Sequence, residues 1–405
     1  MSPFDEKLAK LAKLGVQTGV NLQIGQELIV TAPLEAAALI HDVTRAAYQQ
    51  GARLVTCLYE DPVMIRTRFD LAGDASLDYA PGWMSQGVSQ ALEGGAARLF
   101  IAGPYPDLLN GIPPQKVLRA HTSAALASSQ EMRFTSDSLI NWSVVPFVTE
   151  SWARMVFPDL VPAEAVLRLW EAVFEVTRAD CPDPVGAWSR HTSSLNSRRE
   201  ILQARRFDTL HFHDGRTDLR IGLVEGHRWV GGSTRGANGV DCVCNIPSEE
   251  LFTCPHKDRA DGRVFLSKPL AIAGDLVDDV CIEFRDGLAV SIRARKGQGV
   301  LENLLSGNEA SRRLGEIALV PNSSPVSARG FLFYSALLDE NAASHFAFGQ
   351  SYGACLISAR STEKSGANEA PIHIDCMFGT AEMDVDGISA EGRGEAILRA
   401  GEFVL

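Results

Sequence analysis

The stretch ELIVTAPLEAAALIHDVTRAAYQQGARLVTCLY, residues 27–59, decides the fold of the first half of the chain. ELIV (27–30) is a short apolar run of the kind that forms a buried strand. From Pro33 to Ala47 the apolar residues recur at helical spacing, with the proline at the start where its missing N–H costs nothing. Gly51 then precedes a second run, RLVTCLY (53–59). Strand, helix and strand in this order make a βαβ unit, whose two strands are parallel. Outward from it, ARLFIAG (97–103) and NWSVVPFV (141–148) supply further short apolar runs between helical segments. Residues 1–207 are therefore expected to form an α/β N-terminal domain with an open, largely parallel sheet. Helices are expected over 162–177 and 185–204, leading out of it.

After Phe207 the period changes from helical to alternating, as in TLHFHDGRTDLRIGL (209–223). Asp214-Gly215, Asp286-Gly287 and Asp386-Gly387 are hairpin-type turn signals, because aspartate and glycine tolerate positive φ. Residues 208–405 are thus expected to form an α+β C-terminal domain rich in antiparallel strands. Gly297-Gln298-Gly299 imitates a dinucleotide fingerprint but has Glu302 at the third glycine position, and is read as a β-to-α turn.

A chain of 405 residues exceeds what one core organises, which agrees with two domains. The formal charge of -12 and pI near 5.3 exclude a general nucleic-acid binder, since phosphate neutralisation needs a basic surface. No stretch of about 18 apolar residues occurs, and the first residues lack an apolar run of signal-peptide length, so no membrane span and a cytoplasmic location are expected. The eight cysteines lie singly in apolar surroundings apart from Cys242-Val-Cys244, and are read as reduced core thiols, not ligands. GGSTRG (231–236) lacks the central serine of a nucleophile elbow, and HExxH is absent.

Acids and histidines concentrate in NIPSEELFTCPH (245–256), in GEIALVP (315–321) running into DENAASHFAFGQSY (339–352), and in HIDCMFG (373–379). His373 and Asp375, two apart on a strand, project from one face and can converge on one ion. Glu316 begins a hydrophobic strand, where an acid also serves to cap a sheet end. Glu340 and His345 are five apart, so on an ideal helix they point about 140° from each other, and Asn341 is the better-placed neighbour to orient the His345 ring. A carboxylate-rich set with two imidazoles and no thiolate suits Zn, Co or Mn in a catalytic site with open positions. Several carboxylates together repel unless cations hold them.

These blocks, together with the Gly-Val-Asn-Leu-Gln-Ile-Gly-Gln entry segment (19–26), closely resemble the aminopeptidase T and aminopeptidase S group of thermophilic metallopeptidases. The resemblance implies metal ligation by Glu250, Glu316, Glu340, His345, His373 and Asp375, and a catalytic role for Tyr352. It also implies two divalent ions per chain, and a homodimer whose internal cavity admits short peptides with a free N-terminus. Leu251, Cys254, Ser344, Phe346 and Cys376 depart from the family pattern, and those beside ligands are expected to reshape the side-chain pocket.

The mechanism expected on that basis is hydrolysis of the N-terminal peptide bond by a metal-bound hydroxide, with Tyr352 donating to the oxyanion. Glu316 or Glu250 either bridges the ions or accepts the water proton, and both assignments stay open. Two rivals stand beside it. His345, His373 and Asp375 match the facial triad of a mononuclear iron ring-cleaving dioxygenase, although Glu250 and Glu316 would then be buried without a partner. A non-catalytic metal-binding relative is the other.

Overall fold

The computed structural model describes residues 2–272, 275–357 and 366–405, which divide into two compact units. The first comprises Met1–Arg190 and Ser233–Pro247, the second His191–Gly232 and Ser248–Leu405. The expected division at 207/208 is a single cut, whereas the chain passes between the units more than once, and helix Pro184–Arg205 is shared between them.

In the first unit, strands β1 (Glu27–Pro33), β2 (Leu54–Glu60), β3 (Ala97–Ala102) and β4 (Trp142–Pro146) form a parallel sheet in the order β2-β1-β3-β4. The two central strands are the most apolar, with Leu28, Val30, Leu99 and Ile101 buried, because helices cover a parallel sheet on both faces. Helix Ala37–Gln49 connects β1 to β2, as the opening stretch requires. Helices Pro162–Val176 and Pro184–Arg205 fall within a residue or two of the expected ranges.

The second unit opens with the hairpin β5 (Thr209–His213) and β6 (Asp218–Leu223). The chain returns to the first unit for the two-residue strands β7 (Thr234–Arg235) and β8 (Asp241–Cys242), and Asn245 there bridges to Val144. It re-enters the second unit with β9 (Leu251–Thr253), β10 (Pro255–Phe265), β11 (Leu270–Ile272), β12 (Asp275–Arg285) and β13 (Leu288–Lys296). Then come β14 (Leu314–Leu319), β15 (His345–Gly349), β16 (His373–Met377), β17 (Asp384–Ile388), β18 (Gly394–Arg399) and β19 (Glu402–Phe403). A nine-stranded antiparallel sheet runs β11-β12-β10-β6-β5-β17-β18-β19, with β13 paired to β12; a four-stranded antiparallel sheet runs β16-β15-β14-β9.

The two sheets of this unit share one apolar core. Phe284 of the large sheet meets Phe346 and Phe348 of the small one, with ring centroids 5.6 and 5.9 Å apart. Each buried phenylalanine contributes roughly 1.5–3 kcal/mol by leaving water, and aromatic pairing adds about 0.5–1.5 kcal/mol. The small sheet is thereby fixed on a rigid base.

Asp286-Gly287 forms the expected tight hairpin, both residues at positive φ. Gly297, at φ +74°, starts helix Gln298–Leu305 as the β-to-α turn requires. Asp386-Gly387 is not a turn, because both residues lie within β17. A Cβ on Gly387 would lie 2.5 Å from the Phe207 ring, so the glycine answers a packing contact instead.

Candidate metal centre

Four short antiparallel strands carry the acids and histidines. Glu316 lies in β14, His345 starts β15, His373 and Asp375 lie in β16, and Glu250 immediately precedes β9. The register puts His345 opposite Ala318, Ala347 opposite both Glu316 and Asp375, and Gly349 opposite His373. Partners directly across a sheet share a face, so Glu316, Asp375 and His373 face alanine or glycine, which leaves room above the sheet, while His345 stands between Ala318 and Met377. The alternate residues Leu251, Ile317, Phe346, Phe348 and Cys376 belong to the hydrophobic core. Phe346, Cys376 and Leu251 therefore do not shape the ligand face, contrary to the expectation for residues next to ligands.

Glu316 does not cap a sheet end; it is buried within the strand. The pairing of β14 with β15 shifts register between Leu314 and Glu316, and a Cβ on Gly315 would lie 2.4 Å from the carbonyl oxygens of Gly349 and Gln350. Glycine alone permits this bulge, and the bulge sets the face that Glu316 occupies.

The side chains converge around Glu316. Its Oε1 lies 3.7 Å from His345 Nε2, and its Oε2 lies 3.4 Å from His373 Nε2. Each imidazole meets a second acid: His345 Nε2 is 3.3 Å from Glu250 Oε2, and His373 Nε2 is 3.2 Å from Asp375 Oδ1. Two groups suited to an ion result, Glu250–Glu316–His345 and Glu316–His373–Asp375, with ligand atoms within 4.8 Å of one another in each. Glu316 is common to both. The other ring nitrogens are tied to the backbone, His345 Nδ1 at 3.1 Å from the Ala343 carbonyl and His373 Nδ1 at 2.8 Å from that of Gln350. A carbonyl only accepts, so each Nδ1 is the protonated nitrogen and Nε2 is presented to the acids.

Electrostatics match this picture. Burial opposes a charged His345, but the hydrogen bond to Glu316 and the charges of Glu250 and Asp375 outweigh it and push the imidazole up to about 10. His373 is likewise pushed up to about 10, by Asp375 and Glu316 against its burial. Burial pushes Glu250 up to about 8, helped by Glu316 and Asp375 and opposed by His345. Asp375 is held below the usual carboxylate range by its hydrogen bond to His373 and by both imidazoles, in spite of burial. Glu250 Oε2 is buried and accepts no hydrogen bond among the described residues, for all its nearness to His345. A buried, unbonded carboxylate oxygen amid acids and imidazoles is the environment a divalent cation satisfies, and the oxygen and nitrogen donors fit Zn, Co or Mn.

Glu340 is in neither group of three. Its carboxyl is nevertheless raised well above the usual range, first by burial and then by Glu250 and Asp375, which places it in the same field. The helical premise for Glu340 and His345 fails: Glu340–Ala342 is a single 3-10 turn, Ala343 is extended, and His345 is in a strand. Nor does Asn341 orient the His345 ring, since its side chain accepts from the Glu249 N–H at 2.6 Å and donates to the Leu337 carbonyl at 3.0 Å. Asp339, beside Glu340, accepts from the backbone N–H groups of Phe333 and Ser335 and so fixes the turn.

The Tyr352 ring lies 4.7 Å from the His373 ring and 5.9 Å from that of Phe252. Desolvation and the charges of Glu316, Asp375, Glu340 and Glu250 hold its hydroxyl protonated far above the usual phenol range. His191 was not singled out from the sequence. Its Nε2 lies 2.8 Å from the Ser248 carbonyl and 3.5 Å from Oε2 of the buried Glu249, and no local motif announces it.

The profile of the thermophilic metalloprotease (M29) family matches residues 4–403. The chain belongs to the M29 family. It is similar to aminopeptidase T of Thermus thermophilus, 45% identical over the whole of both chains, and to aminopeptidase 2 of Geobacillus stearothermophilus, 37% identical over 100% of this chain and 99% of that one. The solved structure of wild-type AmpT from Thermus thermophilus matches with a TM-score of 0.93 and 44% identity, covering 99% of this chain and 100% of that one. M29 membership goes with the hydrolase reading and gives no support to the dioxygenase.

Proposed function

We propose that the chain removes N-terminal residues from short peptides at a pair of divalent ions held by Glu250, Glu316, Glu340, His345, His373 and Asp375. As an M29 protein matched over residues 4–403, with aminopeptidase relatives, it is a metal-dependent aminopeptidase, a hydrolase of exopeptidase type. The observation that carries the two-ion reading is Glu316, whose two oxygens face two different imidazoles, each with an acid of its own. When bound, such ions supply Lewis acidity, lowering the pKa of water to about 7 and polarising the scissile carbonyl.

The chain's own residues do the rest. With Glu316 between the two imidazoles, Glu250 is the neighbouring carboxylate that accepts the proton of the attacking water. Tyr352, kept protonated by the acids around it, donates a hydrogen bond to the oxyanion that develops on the carbonyl. Glu249, buried beside Glu250, is the acidic residue that a peptide's α-amino group meets. Among the described residues no helix is long and apolar enough to cross a membrane, which is compatible with work in the cytoplasm, and the family resemblance supports a homodimer.

The test combines metal and substrate. A chelated sample should lose activity and regain it with Zn, Co or Mn at about two ions per chain. It should cut free peptides from the N-terminus and spare N-acetylated ones, as read by mass spectrometry. One iron per chain with oxygen consumption on a dihydroxylated aromatic would refute the proposal.

A further inference from the structure

His211 and His213, two apart on β5, place both imidazoles on one face of the nine-stranded sheet, with ring centroids 4.8 Å apart. The register sets Asp386 of β17 opposite His211, and Asp218 of β6 opposite His213. The hydrogen bonds run along the diagonals instead: His213 Nε2 lies 3.1 Å from Asp386 Oδ2, and His211 Nε2 lies 2.7 Å from Asp218 Oδ1. His211, His213 and Asp386 each offer an atom within 4.8 Å of the other two. Their side chains are 18%, 38% and 24% exposed, partly sheltered yet open to solvent. None of these residues takes part in the first centre, which lies on the four-stranded sheet.

We propose that His211, His213 and Asp386 form a second metal site, taking a divalent transition ion such as Zn2+. The ligand set decides the class of ion: two imidazoles and one carboxylate favour Zn2+, Ni2+ or Cu2+ over Ca2+ or Mg2+, which prefer all-oxygen shells. Ligands around tetrahedral zinc stand about 3.3 Å apart, since each bond is about 2.0–2.1 Å. The present spacing closes to that by side-chain rotation, while the paired strands stay fixed. Three protein ligands leave one position, which the largely exposed Asp218 or water fills.

The aspartates on this face outnumber the arginines. Arg399 holds Oδ1 of Asp386 and leaves Oδ2 for the ion, and Arg220 stands opposite His211. Against these two cations stand Asp218, Asp384 and Asp386, so the face tolerates an added positive charge. Imidazoles must be neutral to bind a metal ion.

The experiment counts zinc. The full chain and a His211→Ala/His213→Ala variant are equilibrated with Zn2+, freed of excess, and analysed by inductively coupled plasma mass spectrometry. The difference between them is the readout, so the result does not depend on how many ions the first centre holds. The variant should retain one ion fewer per chain while aminopeptidase turnover, which reports a folded first centre, is unchanged. Asp386→Asn should weaken zinc at this site by about tenfold or more without removing the imidazoles. Equal zinc content in the wild type and an active double variant would overturn the proposal. Should the double variant lose turnover, His211→Gln/His213→Gln replaces it under the same criterion.

Discussion

Replacing Glu316 with glutamine tests the two-ion reading directly, because it removes one charge from both halves of the centre while keeping the shape of the side chain. At an effective dielectric constant of about 20, a unit charge interacts with a carboxylate by ~4.5 kcal/mol across the 3.7 Å to His345 and by ~4.9 kcal/mol across the 3.4 Å to His373. Each 1.4 kcal/mol or so is tenfold in an equilibrium constant, so the affinity of each half for a cation should fall roughly 10³-fold. Both ions should therefore be lost together in Glu316→Gln, whereas His373→Ala should lose only the ion on its own side. Competition against a chromophoric chelator, with metal counts on the dialysed chain, measures this. A Glu316→Gln chain that keeps one ion at wild-type affinity would show that Glu316 serves one ion only, and the shared-carboxylate argument would be wrong.

Tyr352→Phe should lower kcat by about 10²–10³ with metal content unchanged, because the hydroxyl acts on the transition state; steady-state kinetics on an aminoacyl chromogenic substrate decides it. Metal loading near pH 7 should release about two to three protons, since His345 and His373 are raised to about 10 and Glu250 to about 8; calorimetry in buffers of different ionisation enthalpy reads the number. In the metal-free chain these raised groups contribute stability fully below their unfolded values, about 6.5 for histidine and about 4.3 for glutamate. That contribution is lost as pH rises through about 8 for Glu250 and about 10 for the histidines, so denaturant midpoints should fall over this range. A flat midpoint would contradict the assignment. Gly315→Ala should lower both stability and metal affinity, because its methyl group would meet two backbone carbonyls that cannot move aside cheaply; chelator competition and thermal unfolding follow both.

The parallel sheet was legible because its central strands are short continuous apolar runs, and the His373–Asp375 pair because strand alternation alone places both side chains on one face. The segment from Glu340 to His345 was misread for a physical reason. Asn-Ala-Ala-Ser has ordinary helix propensity, yet β15 pairs with β14 on one side and β16 on the other, and those ladders override local preference. Asp386-Gly387 carried a turn signature, but the need for glycine there comes from Phe207, far away in sequence. The approach of His191 to Glu249 was likewise invisible, since it depends on where helix Pro184–Arg205 ends up beside the loop before β9. The excursion of Ser233–Pro247 into the first unit leaves no mark in composition or period.

The internal proton arrangement of the centre bears on the order of its assembly. In the metal-free chain the imidazoles of His345 and His373, raised by the acids around them, stand against Glu316 and Asp375, and burial raises Glu250 and Glu340 toward their neutral forms. A newly made chain thus does not need to capture ions in order to collapse around these side chains. The metal-free chain is therefore expected to fold, with metallation exchanging protons for cations on that scaffold. Activity is then expected to follow acidity and the supply of metal, and not the act of folding.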